Sequence, residues 1–300
     1  MVKLLLEIDI DIMYNIIGDI MIKAIATDLD GTLFYPKRRF RLISTANKQF
    51  IRNASASGKE IILVTGRNIF VPGKVNKKFA LSNDVSVVAC NGARIIHKNE
   101  VVFEKPIESS KAIKLYNDLI NHKDVKVLNL FTDYKRMLVN ACGMNLFMKV
   151  VGVIGLSLQF AYFEPFILGE KRTRQFVENN EGKIFKIMPW FGLGKKGIET
   201  ARRVYDELVE KYGDDFDIWF SDSAIEIMEK NTNKANSLTE LIKLMNIKPD
   251  EVAVVGDSGN DIPLFERFKH SFVMGQAPEE VKAKASVVLK SFADLENYIK

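Results

Sequence analysis

Apolar positions along this chain gather into short runs, and the polar residues that close each run give its organisation. Met21-Ile22-Lys23-Ala24-Ile25-Ala26 leads into Thr27-Asp28-Leu29-Asp30-Gly31-Thr32, a pattern that predicts a strand and then a loop, with Asp28 at the strand's carboxyl end. Leu42, Ala46, Phe50, Ile51 and Ala54 recur at helical spacing and Gly58 ends the pattern, so a helix is expected over residues 42–57. Ile61-Ile62-Leu63-Val64 is continuously apolar, as in a strand buried on both faces, and ends in Thr65-Gly66-Arg67. Val85-Ser86-Val87-Val88-Ala89 gives a third strand ending in Asn91-Gly92. Val252-Ala253-Val254-Val255 gives a fourth, ending in Gly256-Asp257-Ser258-Gly259-Asn260-Asp261. Leu238, Leu241, Ile242 and Met245 predict an amphipathic helix that stops near Asn246, with Lys234 just before its start.

Four apolar strands that each end in polar residues predict an α/β fold with a doubly wound, mostly parallel sheet. In such sheets ligands bind beyond the carboxyl ends of the strands, so the four loops are expected to converge on one site. Residues 107–228 break the rhythm, with a strand-like Val127 to Phe131, a helix from Gly197 to Tyr212, and Ile218-Trp219-Phe220. This stretch is expected to form an inserted α+β cap domain, leaving a core of residues 21–106 and 229–300. Residues 1–20 read as an N-terminal extension that is dispensable to the core, with Met21 as an alternative start. The uncharged run between Lys149 and Glu164 is shorter than the ~20 apolar residues of a membrane-spanning helix and is expected to be a buried element.

At 47% hydrophobic and 27% charged, the composition excludes a disordered or fibrous chain. The 43 basic and 38 acidic side chains leave a charge of +5, which is mild for a nucleic-acid binder and sufficient for a small anionic substrate. Two cysteines make no disulfide framework, and Glu7, Asp9 and Asp11 interrupt any export signal, so a cytoplasmic protein without a membrane partner is expected. Its oligomeric state is open between monomer and homodimer.

The carboxylates carry the chemistry. Asp28 and Asp30 stand two apart at one strand end, and Asp257 and Asp261 four apart at another. Brought together they repel unless a cation offsets them, and an all-oxygen set suits magnesium. A carboxylate can attack phosphorus and form an aspartyl-phosphate, and Asp28 is the expected nucleophile. Asp30 can protonate the leaving alcohol and then activate water. The Thr65 hydroxyl, the Lys234 ammonium and backbone amides around Asn91-Gly92 are candidate donors to phosphoryl oxygens. Each motif by itself has an ordinary structural reading as a turn or a surface lysine; their order and shared position at strand ends favour the functional one.

Together these residues resemble the four signatures of the haloacid dehalogenase superfamily: Asp28-Leu29-Asp30-Gly31-Thr32-Leu33, then Thr65-Gly66-Arg67, then Lys234, then Gly256-Asp257-Ser258-Gly259-Asn260-Asp261. Asn91-Gly92-Ala93, and the long interval before Lys234, resemble the Cof-like branch with its large α/β cap. The resemblance implies a phosphatase of sugar phosphates or of phosphorylated cofactors such as pyridoxal phosphate and flavin mononucleotide. It implies phosphate contacts from Thr65, Gly66, Arg67, Asn91, Gly92, Lys234 and Asn260. It also implies magnesium held by the Asp28 carboxylate, the Asp30 carbonyl and Asp257, with Asp261 and Asn260 supporting the metal or Lys234. One departure is Asn233-Lys234-Ala235-Asn236, where the family often has Gly after the Lys. A phosphomutase of the same fold, or a silent metabolite-binding regulator, is the alternative. His97, His122 and His270 have no ligand spacing, Trp190-Phe191 reads first as core packing, and Lys195-Lys196 and Arg172 to Arg174 are candidates for specificity.

Overall fold

The computed structural model describes residues 21–36, 43–68, 76–77, 79–81, 84–134, 136–145 and 166–299. The expectations for residues 1–20, for Leu42 and for the run between Lys149 and Glu164 lie outside them. The chain begins with β1 (Ala24–Thr27), β2 (Glu60–Val64), β3 (Ser86–Ala89), β4 (Arg94–His97) and β5 (Glu100–Glu104). It continues with β6 (Val127–Thr132), β7 (Met137–Asn140), β8 (Phe166–Leu168), β9 (Ile184–Trp190), β10 (Phe216–Ser221) and β11 (Ala224–Glu229). It closes with β12 (Val252–Gly256), β13 (His270–Met274) and β14 (Val287–Leu289).

Among the described residues these strands form two sheets. The first has the order β14-β13-β12-β1-β2-β3-β4-β5, parallel from β14 to β3. β4 and β5 then add an antiparallel edge that the hydrophobic pattern does not disclose. The second, of order β10-β11-β9-β6-β7-β8, is antiparallel except where β7 meets β8. Because β12, β1, β2 and β3 are neighbours and parallel, their four polar loops leave the sheet along one edge.

Apolar side chains cover both faces of the first sheet, as a continuous hydrophobic run requires. On one face Ile25 of β1 packs with Phe50 and Ile51 of α1 (Thr45–Ala56) and with Phe292. On the other, Ala24 and Ala26 lie in one cluster with Leu238 and Leu241 of a later helix. α1 begins three residues later than the pattern predicts, because Ser44 caps it by accepting from the Asn47 amide. Ala46 is exposed, and Asn47 is buried in its place, its side chain donating to the Leu33 and Tyr35 carbonyls.

The second sheet is covered on one face by α2 (Ser109–Ile120), α3 (Glu170–Glu178) and α4 (Gly194–Tyr212), where Leu115, Phe176 and Val204 meet Ile187, Ile225 and Ile227. α4 starts at Gly194, earlier than Gly197. Strand alternation sends Lys186 and Glu226 to the opposite face. The two connections between the sheets meet: Lys105 Nζ donates to the Lys230 carbonyl at 2.6 Å, and the Glu108 amide donates to Glu229 at 3.0 Å. α5 (Lys234–Leu244) follows and takes Lys234 as its first residue, correcting the expectation that Lys234 precedes the helix. Asn233 is the true cap, accepting from the Asn236 amide at 2.9 Å. Ala235, where the resembled family often has Gly, sits in the helix against the sheet and asks nothing unusual of the backbone. α6 (Ile262–Arg267) comes after the last acidic loop. No helix among the described residues is long and apolar enough to cross a membrane.

Candidate active site

Asp28 leaves β1 in extended conformation, its amide still bonded to the Val255 carbonyl of β12 at 2.9 Å. The chain then turns through Gly31 at φ +87°, and a Cβ at that position would collide with the Asp257 carboxylate. Glycine is therefore required twice over, by the left-handed backbone and by the approach of β12's loop. Thr32 Oγ1 donates to Asp257 Oδ1 at 2.6 Å and ties the two loops together.

Lys234, held by the first turn of α5 and only 1% exposed, stands between two carboxylates. Its Nζ lies 2.8 Å from Asp28 Oδ1 and 2.7 Å from Asp261 Oδ1. The second Asp261 oxygen accepts from the amides of Asp257 at 2.9 Å and Ser258 at 3.1 Å. Both oxygens of Asp261 are thus taken, whereas Asp28 Oδ2 and Asp257 Oδ2 form no hydrogen bond among the described residues. Carboxylate oxygens of Asp28, Asp257 and Asp261 all lie within 4.8 Å of one another.

The electrostatics of this cluster are unbalanced. Burial pushes Asp28 well above the ordinary carboxylate range, and Asp261, Asp257 and Asp30 push it the same way against the pull of Lys234. Burial and then Asp261 raise Asp257 from 3.8 to about 7. Burial acts to lower Lys234, but its attraction to Asp261 and Asp28 outweighs this and holds it firmly charged. One lysine serves too many acids, the condition that a divalent cation relieves.

Asp30 points elsewhere. Its side chain is about half exposed, and both its oxygens accept from Arg67, Nε and Nη2 each at 2.6 Å, in a bidentate pair. Arg67, expected at phosphate, is paired with Asp30 in this structure. Thr65 is buried at the end of β2, and its hydroxyl accepts from the Arg67 amide at 3.2 Å. The Asn91 amide, a candidate donor to phosphoryl oxygens, instead donates to the Thr65 carbonyl at 3.0 Å. Asn91 adopts φ +54°, a left-handed conformation that Asn tolerates better than most residues. Gly92 at φ +110° packs where a Cβ would strike the Asn233 carbonyl. Asn260 lies at 3.4 Å from Asn91 Oδ1.

Two residues outside the motifs also reach these loops. Lys186 Nζ donates to the Gly66 carbonyl at 2.6 Å, and Glu226 Oε2 accepts from Asn91 Nδ2 at 2.5 Å. Each carries a signal in the sequence: a charge in the middle of an apolar strand, Ile184-Phe185-Lys186-Ile187 and Ala224-Ile225-Glu226-Ile227, where burial is costly without a partner. The other candidates lie apart. Arg172 and Arg174 pair with Glu181 and Glu178, and Lys195 with Glu199. Phe191 is in the core of the second sheet while Trp190 packs on its other face. His97 bonds Ser86 and His122 faces Glu207.

Known proteins resemble this chain over most of its length. Residues 25–296 match the haloacid dehalogenase-like hydrolase family. The chain is 27% identical over 273 residues to 5-amino-6-(5-phospho-D-ribitylamino)uracil phosphatase YbjI of Escherichia coli, covering 88% of this chain and 89% of that one. It is 22% identical over 269 residues to pyridoxal phosphate phosphatase YbhA of the same organism, covering 89% and 93%. A haloacid dehalogenase-like hydrolase from Bacteroides thetaiotaomicron has the same fold, with a TM-score of 0.71 at 19% identity over 92% of this chain and 98% of that one.

Proposed function

The chain belongs to the haloacid dehalogenase-like hydrolase family, and from this we propose that it is a magnesium-dependent phosphatase of a small phosphorylated metabolite, acting through an aspartyl-phosphate at Asp28. It is a hydrolase of phosphate monoesters. The observation that carries the finer reading is the setting of Asp28, buried at a strand end with one oxygen on Lys234 and the other uncommitted. We take residues 21–106 and 229–300 as the catalytic core and residues 107–228 as a cap over it.

In this mechanism Asp28 Oδ2 attacks phosphorus while the bond to the leaving oxygen breaks, and Asp30 supplies the proton that oxygen needs. To do so Asp30 turns from Arg67. Asp30 then takes a proton from water, whose oxygen attacks phosphorus; the bond to Asp28 breaks, freeing phosphate and restoring the carboxylate. Thr65 and Lys234 supply donors to the phosphoryl oxygens throughout. The carboxylate oxygens of Asp28, Asp257 and Asp261 form an oxygen-only cluster that fits magnesium; in this reading Asp28, Asp257 and the Asp30 carbonyl would hold the ion. Bound there, magnesium offsets the negative charge of the carboxylates and of the transferring group. Asp261, with both oxygens taken, positions Lys234 and the loop amides instead. The substrates named for the two relatives support a sugar phosphate or a phosphorylated cofactor.

The test is phosphate release across phosphorylated sugars, nucleotides and vitamin cofactors, with magnesium and with EDTA, followed by acid quenching with labelled substrate. Release that needs magnesium, together with label retained on wild-type protein and absent from Asp28→Asn, is the expected result. Turnover by Asp28→Asn at the wild-type rate would falsify the mechanism.

A further inference from the structure

Lys186 of β9 and Glu226 of β11 pair at 2.9 Å with side chains only 2% and 9% exposed. A buried ion pair is a poor device for stability alone, since apolar side chains of similar volume serve as well or better. What distinguishes this pair is where its remaining hydrogen bonds go. Lys186 Nζ also donates to the Gly66 carbonyl and sits 4.1 Å from the centre of the Phe131 ring. Glu226 Oε2 accepts from Asn91 at 2.5 Å and Asn260 at 3.4 Å. Every partner besides Phe131 and the pair itself is on a catalytic loop of the first sheet. Two of the three Lys186 donors and both Glu226 oxygens are engaged by protein, which favours a structural hold on the loops over direct contact with substrate.

These bonds converge on Thr65 from two directions. The Gly66 carbonyl that Lys186 engages belongs to the peptide whose N–H, that of Arg67, donates to Thr65 Oγ1 at 3.2 Å. A cation on the carbonyl polarises the peptide and strengthens what its N–H donates. Asn91, whose side chain Glu226 holds, donates its amide to the Thr65 carbonyl at 3.0 Å. Thr65 is therefore set at its side chain and at its backbone by residues that answer to the second sheet.

We propose that Lys186 and Glu226 are positioning residues, which orient the phosphoryl-binding Thr65 through the Gly66–Arg67 peptide and Asn91 so that the site is complete only when the second sheet is seated on it. The inference rests on the phosphatase reading above. Removing one partner strands a buried charge and can unfold the protein, so the variant to use is the double Lys186→Met/Glu226→Gln, with the charge swap Lys186→Glu/Glu226→Lys beside it. The measurements are melting temperature, kcat and KM for phosphate release from the best substrate of the panel, and magnesium-dependent binding of orthovanadate. The double variant is expected to melt near wild type while kcat falls about 10²-fold and KM moves much less, as a misplaced catalytic group requires. The swap keeps an ion pair but offers Gly66 a carboxylate and Asn91 an ammonium, so it should not recover kcat. Wild-type kcat in either variant overturns the proposal while leaving the phosphatase reading intact. A wild-type protein that neither releases phosphate nor binds orthovanadate removes both.

Discussion

Two buried lysines, Lys234 on the first sheet's side and Lys186 on the second's, do opposite electrostatic work. They are 1% and 2% exposed and each touches carboxylate at under 3 Å. Lys234 is shared between Asp28 and Asp261, with Asp257 close by, and the acids it cannot satisfy are pushed upward. Lys186 has one acid. Burial acts to raise Glu226, but the charge and hydrogen bond of Lys186, joined by the Asn91 hydrogen bond and the charge of Lys234, outweigh it and hold the carboxyl below its usual value. The first cluster is left short of positive charge, as the proposed cation site requires; the second is a one-to-one ion pair, as the proposed joint requires.

The largest effect that separates them is on turnover. Asp28→Asn should reduce phosphate release by about 10⁴-fold or more. It should also raise the melting temperature measured in EDTA, because it removes one of the crowded acids; a fall would mean that the cluster is not frustrated. Next is Lys234→Met, which strands two carboxylates at once and should cost about 3–5 kcal/mol in denaturant titrations without magnesium. Unchanged stability would refute the idea that Lys234 offsets the charge of both.

A third, smaller effect is in pH. The Asp257 carboxyl binds its proton more tightly folded than unfolded, its folded value being about 7 against 3.8. The folded state then holds the extra proton between these values, so stability in EDTA should fall as pH rises from 4 to 7 and be lowest above it. Each tenfold gain in proton affinity on folding is about 1.4 kcal/mol, and in a chain of this size ~1 kcal/mol moves the melting point by about 2–4 °C. Magnesium should flatten the slope, and Asp257→Asn should reduce it; a metal-free protein more stable at pH 8 than at pH 5 would contradict this charge balance. The smallest effect is expected at the exposed Lys195 and Lys196, which reach neither cluster. Replacing both with Ala should change stability by less than about 0.5 kcal/mol and leave KM alone.

The same contrast explains what can be read in the sequence. The first cluster is legible because its residues follow apolar strands at short spacing, and parallel order then brings Asp28, Thr65, Asn91 and Asp257 to one edge. Lys186 and Glu226 lie on strands whose register is set by antiparallel pairing, Phe131 opposite Lys186 and Trp219 opposite Glu226, which no local pattern encodes. Arg67 shows a subtler limit: its motif reads as a phosphate contact, and the bidentate pair it makes with Asp30 across 37 positions is written in no local pattern. Ala46 departs from its expected burial for a local reason, since Ser44 starts the helix and turns Asn47 inward instead.

The clasp of Lys105 on the Lys230 carbonyl means that the chain leaves the first sheet and returns to it at nearly the same point. An insertion whose ends touch adds little to the closure entropy of its host, because the host sees a short loop whatever the guest's length. Such a joint is where one gene segment can enter or leave another without disturbing the register of either sheet. A shortened gene joining residue 105 to 231 would therefore encode the first sheet alone, antiparallel edge included, and by the same stroke leave Thr65 with no keeper.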